Sequence, residues 1–309
     1  MLVYEKTSWF KLIFTLRGTT LRQTKWRLLI STAWACLATW LELEEHWRID
    51  LTVAPFTLVG LALSIFLGFR NSASYDRFWE GRRLWGQIVN STRNVTRLVL
   101  ATVGPLEVTD EVRERHRDLV YHVIAWTHAV RMHLRDEKEL EPFRALLPAT
   151  EVDSLATESN RPNAILQHLS TMLRQDVARG WLDPIHHLAI EQEISQLVNS
   201  QGGCERIKST PIPFSYTVLL HQVVAGYCFA LPFGLVRTVG ALTPLVVAMI
   251  AYAFFSLDAV GDEIEQPFGR DANDLPLEAI SRNIEIALRE RLLEEERPSV
   301  LKPVKHQLS

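Results

Sequence analysis

Leu51 to Phe69 reads LTVAPFTLVGLALSIFLGF, with no charged residue between Asp50 and Arg70. A helix rises ~1.5 Å per residue, so this run reaches across most of a ~30 Å hydrocarbon layer. Two more uncharged runs lie far downstream, Ile212–Val236 and Thr238–Leu257, parted only by Arg237. A shorter one, Leu28–Leu43, ends at Glu42 and begins behind Trp26 and Arg27, which suit an interfacial anchor. None of the four alternates apolar with polar residues, so they read as spanning helices rather than barrel strands.

Charge orients these runs. The segment ahead of them carries Lys6, Lys11, Arg17, Arg22, Lys25 and Arg27 against the one acid Glu5, and resembles no cleavable signal. The link between the first two runs holds Glu42, Glu44, Glu45 and Asp50 against Arg48, while Arg70, Arg77, Arg82, Arg83, Arg93 and Arg97 follow the second. By the positive-inside rule both termini and the long middle region face the cytosol, and the chain reads as a multi-pass membrane protein. Five segments follow: 1–27 cytosolic, 28–69 the first two spans, 70–211 a cytosolic helical region, 212–257 the third and fourth spans, and 258–309 an acidic turn with an amphipathic tail helix.

Averaged over 309 residues this segregation disappears: 33 Lys plus Arg against 36 Asp plus Glu leave a formal charge of −3. That balance argues against a nucleic-acid partner. In the middle region the second run continues as a helix, with Phe78, Trp85, Ile88, Thr92 and Val95 at helical spacing until Gly104-Pro105. A new helix over Asp110–Arg135 is capped near Thr109 or Asp110. The tail places Leu277, Ile280, Ile284, Leu288 and Leu292 on one face, suited to the cytosolic bundle or to a neighbouring subunit.

Enzyme chemistry finds no foothold. Cys36, Cys204 and Cys228 are scattered, and no GxGxxG, Walker A or GxSxG pattern occurs. His187 and Glu191 stand one turn apart, and His116, His122, His128 and His133 are scattered; without HExxH spacing a polar helix face accounts for them. Asn90-Ser-Thr and Asn94-Val-Thr match the glycosylation tripeptide by chance, since they fall on the cytosolic side. His221 is the one readily titrating group inside a span, and Pro232 marks a kink. Beyond the fourth span Asp258, Asp262, Glu263 and Glu265 precede Pro267-Phe268-Gly269, then Asp271, Asn273 and Asp274. The spacing is not that of an EF-hand, and a solvated turn or a helix cap explains the cluster.

Three stretches together, APFTLVGLALSIFLGFRNSASYDRFWEGRRLWGQ (Ala54–Gln87), GCERIKSTPIPFSYT (Gly203–Thr217) and DEIEQPFGRDANDLPLEAI (Asp262–Ile280), resemble bacterial bestrophins. The resemblance covers nearly the whole chain. It implies an all-α membrane protein with four transmembrane helices per subunit and a large cytosolic helical region, assembled as a homopentamer around a central ion-conducting pore. It also implies a hydrophobic neck at Leu61, Ile65 and Phe69, which recur one turn apart, and a cytosolic constriction at Ile194. A cation site carried over from eukaryotic bestrophins falls on Glu263, Gln266, Asp271 and Asp274. Arg270 and Ala272 break the acidic run there, and no cofactor is expected beyond such an ion.

Family members conduct anions in animals, whereas bacterial ones can pass monovalent cations. The local charges lean toward cations. The acids of the outer link, Glu42, Glu44, Glu45 and Asp50, leave −3 with Arg48, and Glu107–Glu193 holds sixteen acids against ten bases. The expectation is a monovalent cation channel, with an anion channel, a non-conducting scaffold or a coupled transporter as alternatives.

Overall fold

A computed structural model describes residues 1, 10, 19–44, 51–304 and 308. Among these residues there are nine α-helices and no strand. In chain order they are α1 (Leu21–Leu43), α2 (Val53–Thr102), α3 (Asp110–Leu134), α4 (Ala149–Ser154), α5 (Arg161–Ala178), α6 (Pro184–Ser209), α7 (Phe214–Val239), α8 (Thr243–Glu265) and α9 (Leu277–Arg291). The four apolar runs fall for most of their length in α1, α2, α7 and α8, and Thr238–Leu257 starts at the end of α7 and crosses a 3-10 turn at Gly240–Leu242. Two helical stretches are long and apolar enough to cross a membrane: Val53–Thr102, and Phe214–Glu265, which comprises α7 and α8.

The chain divides into two compact units, Tyr4–Phe78 with Thr210–Pro267, and Met1–Val3 with Trp79–Ser209 and Phe268–Ser309. Arg70 and Asp258, expected at the ends of spans, both lie in the first unit. Arg70 bonds Asp258 and Asp262, and Arg77 donates to the carbonyls of Glu265 and Thr210, so both arginines and the end of α8 stay with the first unit.

In the first unit one face of α2, through Leu63 and Leu67, packs with Val224, Cys228, Ala251, Phe254 and Phe255 of α7 and α8. A second cluster joins Ala35 of α1 to Leu231 and Val247. Small residues let these helices close together. A methyl group added at Gly234 would collide with the Phe56 ring, so only glycine admits that approach. Pro232 cannot donate within α7, and beside this break Trp34 Nε1 donates to the Phe229 carbonyl at 2.9 Å while its indole stacks on the Phe229 ring. The rest of the apolar surface stays uncovered. Only 17% of the most apolar window of Val53–Thr102 is buried within the chain, unlike a core helix, which its own chain covers. Exposed apolar surface on this scale is stable only against lipid or another protein surface.

The second unit is a helical bundle built round α3. Thr109 caps α3 by accepting from the Val112 N–H, with Asp110 and Glu111 on the dipole's positive end, as the sequence suggests. Gly104, at φ +91°, takes the left-handed turn that ends α2 and donates to the Trp181 carbonyl at 2.8 Å. Val120, Ile124 and Trp126 of α3 are fully or almost fully buried, and Trp126 Nε1 donates to Gln201 on α6. Asp176, wholly buried on α5, accepts from Arg115 Nε through both oxygens, at 2.9 and 3.0 Å. The tail helix α9 buries Leu277, Ile284 and Leu288 and is tied to α3 by His128–Glu285 at 3.0 Å and Arg135–Glu278 at 2.9 Å.

Candidate functional site

The three α2 residues expected to form a neck sit on the face opposite its packed one. Leu61, Ile65 and Phe69 are 60%, 50% and 66% exposed, while Leu63 and Leu67 between them are buried. The division follows from the helical period: residues four apart share a face, and the face that supplies the core cannot also supply a stripe. Continued by threes and fours, the register of the stripe passes through Ser72, Asp76, Trp79, Arg83, Asn90, Arg93 and Arg97, all exposed. In the second unit Arg93 and Arg97, with Arg291 and Glu290 of α9, line a cavity of about 620 Å³.

The guanidinium of Arg70, the residue after Phe69, is completely buried. It donates to Asp258 Oδ1 at 2.7 Å and to Asp262 Oδ1, and lies 3.9 Å from Glu265. Asp258 and Asp262 are one turn apart on α8, so a single planar fork reaches both. His221 enters from α7, its Nε2 standing 3.1 Å from Asp258 Oδ2 and 3.5 Å from Asp262 Oδ2. Its Nδ1 donates to the Thr217 carbonyl at 2.8 Å. Arg27 of α1 reaches Asp258 Oδ2 at 3.4 Å. His221, Asp258 and Asp262 are the one His/Cys/Asp/Glu group among the described residues whose donor atoms converge closely enough to hold a metal ion. The sequence reading treated Asp258 and Asp262 as a solvated turn. Their spacing of four, mirrored by the arginine that closes the apolar run, is the signal that could have paired them.

Ile194 does not line an exposed wall. It is 4% exposed, on the buried stripe that also holds Ile190 and Leu197, so the core of the second unit claims that face of α6. The exposed apolar residues of the same helix include Ile185, at 77%, and Leu188, at 60%.

Of the outer acids, Glu42 accepts from Arg237 through both Nε and Nη2 at 3.2 Å, and Glu44 is exposed. Glu45 and Asp50 lie outside the described residues.

The four residues carried over as a cation site are not gathered within either unit. Glu263 and Gln266 belong to the first and Asp271 and Asp274 to the second. Asp274 Oδ2 accepts the Asp271 N–H at 2.7 Å, which closes the turn instead of capping α9. Arg270 bonds Glu137 at 2.7 Å.

The scattered histidines have structural partners. His116 bonds the Val103 carbonyl, His133 lies 3.3 Å from Glu205, and His187 lies 3.5 Å from Glu191. His122 bonds Glu151 at 2.8 Å, and this hydrogen bond, ahead of the cost of burial, holds the Glu151 carboxyl below the usual carboxylate range. Burial pushes the Cys204 thiol up to about 12, so it is no nucleophile.

Residues 1–290 match the sequence model of the bacterial and fungal bestrophin proteins. The chain is a member of the bestrophin family. It is 39% identical to the voltage-dependent anion channel-forming protein RSc3414 of Ralstonia nicotianae, over 94% of either chain. It is 36% identical to the voltage-dependent anion channel-forming protein YneE of Escherichia coli K12, over 99% of either chain. A solved bacterial bestrophin homologue from Klebsiella pneumoniae superposes with a TM-score of 0.81 at 36% identity, covering 88% of this chain and 99% of that one.

The names of these relatives speak of anion channels and do not support the cation preference expected from the charge count. Several of the counted acids lie beside arginines: Glu42 beside Arg237, Asp176 beside Arg115, Glu137 beside Arg131 and Arg270, and Glu141 beside Arg144.

Proposed function

We propose that several copies of this chain, five on the family resemblance, surround an axis in the bacterial inner membrane and form a passive anion channel. In this reading α1, α2, α7 and α8 are the four spans, and both termini are cytosolic. Lipid covers the outward faces, and the Leu61–Ile65–Phe69 stripes of neighbouring copies face one another as an apolar neck. The observation that carries the reading is the stripe itself: an apolar face left bare at one-turn spacing, whose register runs on into Arg83, Arg93 and Arg97. Rings of apolar side chains gate by expelling water, and positive side chains below them raise the local concentration of anions. The relatives named as anion channel-forming proteins support the same sign.

The test is a planar-bilayer recording of the purified protein in asymmetric KCl. Single-channel steps whose reversal potential follows the chloride gradient are expected. A reversal potential that follows potassium overturns the anion reading, saturable coupled flux points to a transporter, and the absence of flux above empty membranes points to a scaffold.

A further inference from the structure

The charged cluster beside the neck has an unbalanced interior. His221 Nδ1 faces the Thr217 carbonyl oxygen at 2.8 Å and must carry the hydrogen, so a neutral ring presents its Nε2 lone pair to the other side. There it meets Asp258 Oδ2 at 3.1 Å and Asp262 Oδ2 at 3.5 Å. Arg70 occupies the Oδ1 atoms of both aspartates and leaves the Oδ2 atoms turned inward. Three acceptors thus converge, all within 4.8 Å of one another, and among the described residues Arg27 approaches them, at 3.4 Å from Asp258 Oδ2 with its side chain half exposed.

Such a set is stable with a cation at its centre. A proton on Nε2 can be aimed at one oxygen, and 3.5 Å is too long for the second to share it. A tetrahedral zinc-like ion, with ligands at about 2.0–2.2 Å, sets its donors about 3.4 Å apart, and the two observed separations lie on either side of that. The surrounding shell is also that of a metal site. A backbone carbonyl fixes the histidine tautomer, and a guanidinium orients both carboxylates through their outer oxygens. A divalent ion that displaces Arg27 gives charge balance, +3 with Arg70 against −3 from Asp258, Asp262 and Glu265. A cavity of about 430 Å³, bordered by Arg27, Trp34, His221 and Asp258, supplies an approach.

We propose that His221 Nε2, Asp258 Oδ2 and Asp262 Oδ2 bind one divalent transition-metal ion of the zinc type, with water in the fourth position. The site stands whether or not the chain conducts. An occupied site fastens α7 to α8 and, through Arg70, to the segment of α2 that carries Phe69.

The full-length protein, purified in detergent and stripped with chelator, is titrated with zinc chloride by calorimetry, and its melting temperature is followed in parallel. One zinc per chain and a rise in melting temperature are expected for the wild type. His221→Gln and Asp262→Asn, both at partly exposed positions, are expected to bind zinc more than tenfold more weakly and to lose the rise. Each variant is compared with wild type in metal-free buffer, so a folding defect shows there as a lower melting temperature. Zinc bound equally well by both variants overturns the proposal, because the ion then sits elsewhere. No zinc bound by the wild type overturns it outright.

Discussion

Replacing Arg70 by methionine tests the buried hub directly. Met fills much of the volume of the arginine stem but leaves Asp258, whose side chain is 1% exposed, without its guanidinium at 2.7 Å. Removing one partner of a buried pair costs about 3–5 kcal/mol, because the remaining charge has no solvent to fall back on. For a unit of this size about 3 °C accompanies each kcal/mol, so Arg70→Met is expected to lower the melting temperature by roughly 10–15 °C. Arg70→Lys restores part of the loss, since an ammonium is a single point charge and cannot hold Asp258 and Asp262 in one plane. Asp258→Asn in the Arg70→Met background restores more, by removing the orphaned charge. The assay is thermal denaturation of the detergent-solubilised oligomer, read by size-exclusion chromatography with fluorescence detection. An Arg70→Met protein that melts within about 3 °C of wild type, or a double variant no better than the single, refutes the view that this arginine compensates a buried carboxylate.

Alanine at Leu61, Ile65 and Phe69 together is expected to widen and wet the neck and increase single-channel current; unchanged conductance in a correctly assembled variant places the gate elsewhere. Gly234→Ala drives a methyl group into the Phe56 ring and is expected to cost about 1–3 kcal/mol, with Phe56→Ala in the same chain relieving the clash; a fully stable single variant in a thermal melt shows that α7 and α2 give way at no cost. Glu151, whose carboxyl is held low by its hydrogen bond to His122, contributes stability that is present above its unfolded value, about 4.3, and is lost as pH falls toward its folded value. Denaturant melts between pH 6 and 3 are expected to fall less steeply for Glu151→Gln, and equal slopes refute that contribution.

The four apolar helices, the continuation of α2 to the Gly104-Pro105 break, the Thr109 cap and the amphipathic α9 were all legible in the chain, because each depends on local pattern. Hydrophobic period, charge asymmetry and turn chemistry act over a few residues and need no partner. The neck stripe was legible only through family resemblance. A helix apolar all round offers no internal choice of face, and the packing of Leu63 and Leu67 narrows it only in part, since Leu58 and Phe66 are as exposed as Leu61, Ile65 and Phe69. Charge was the poorest guide. A sequence lists Glu42, Asp176 and Asp258 as three negative charges, whereas Arg237, Arg115 and Arg70, each distant in the chain, neutralise them in place.

By itself, then, the sequence determined that the chain is helical, apolar in four long runs and related to bestrophins, because those properties are written in neighbouring residues. Tertiary structure alone decided which isoleucine of α6 is core and which is surface. It also decided which carboxylates keep their charge for an ion, and that His221, Asp258 and Asp262 meet around one point. Those facts depend on distances between segments far apart in the chain, which no local pattern encodes.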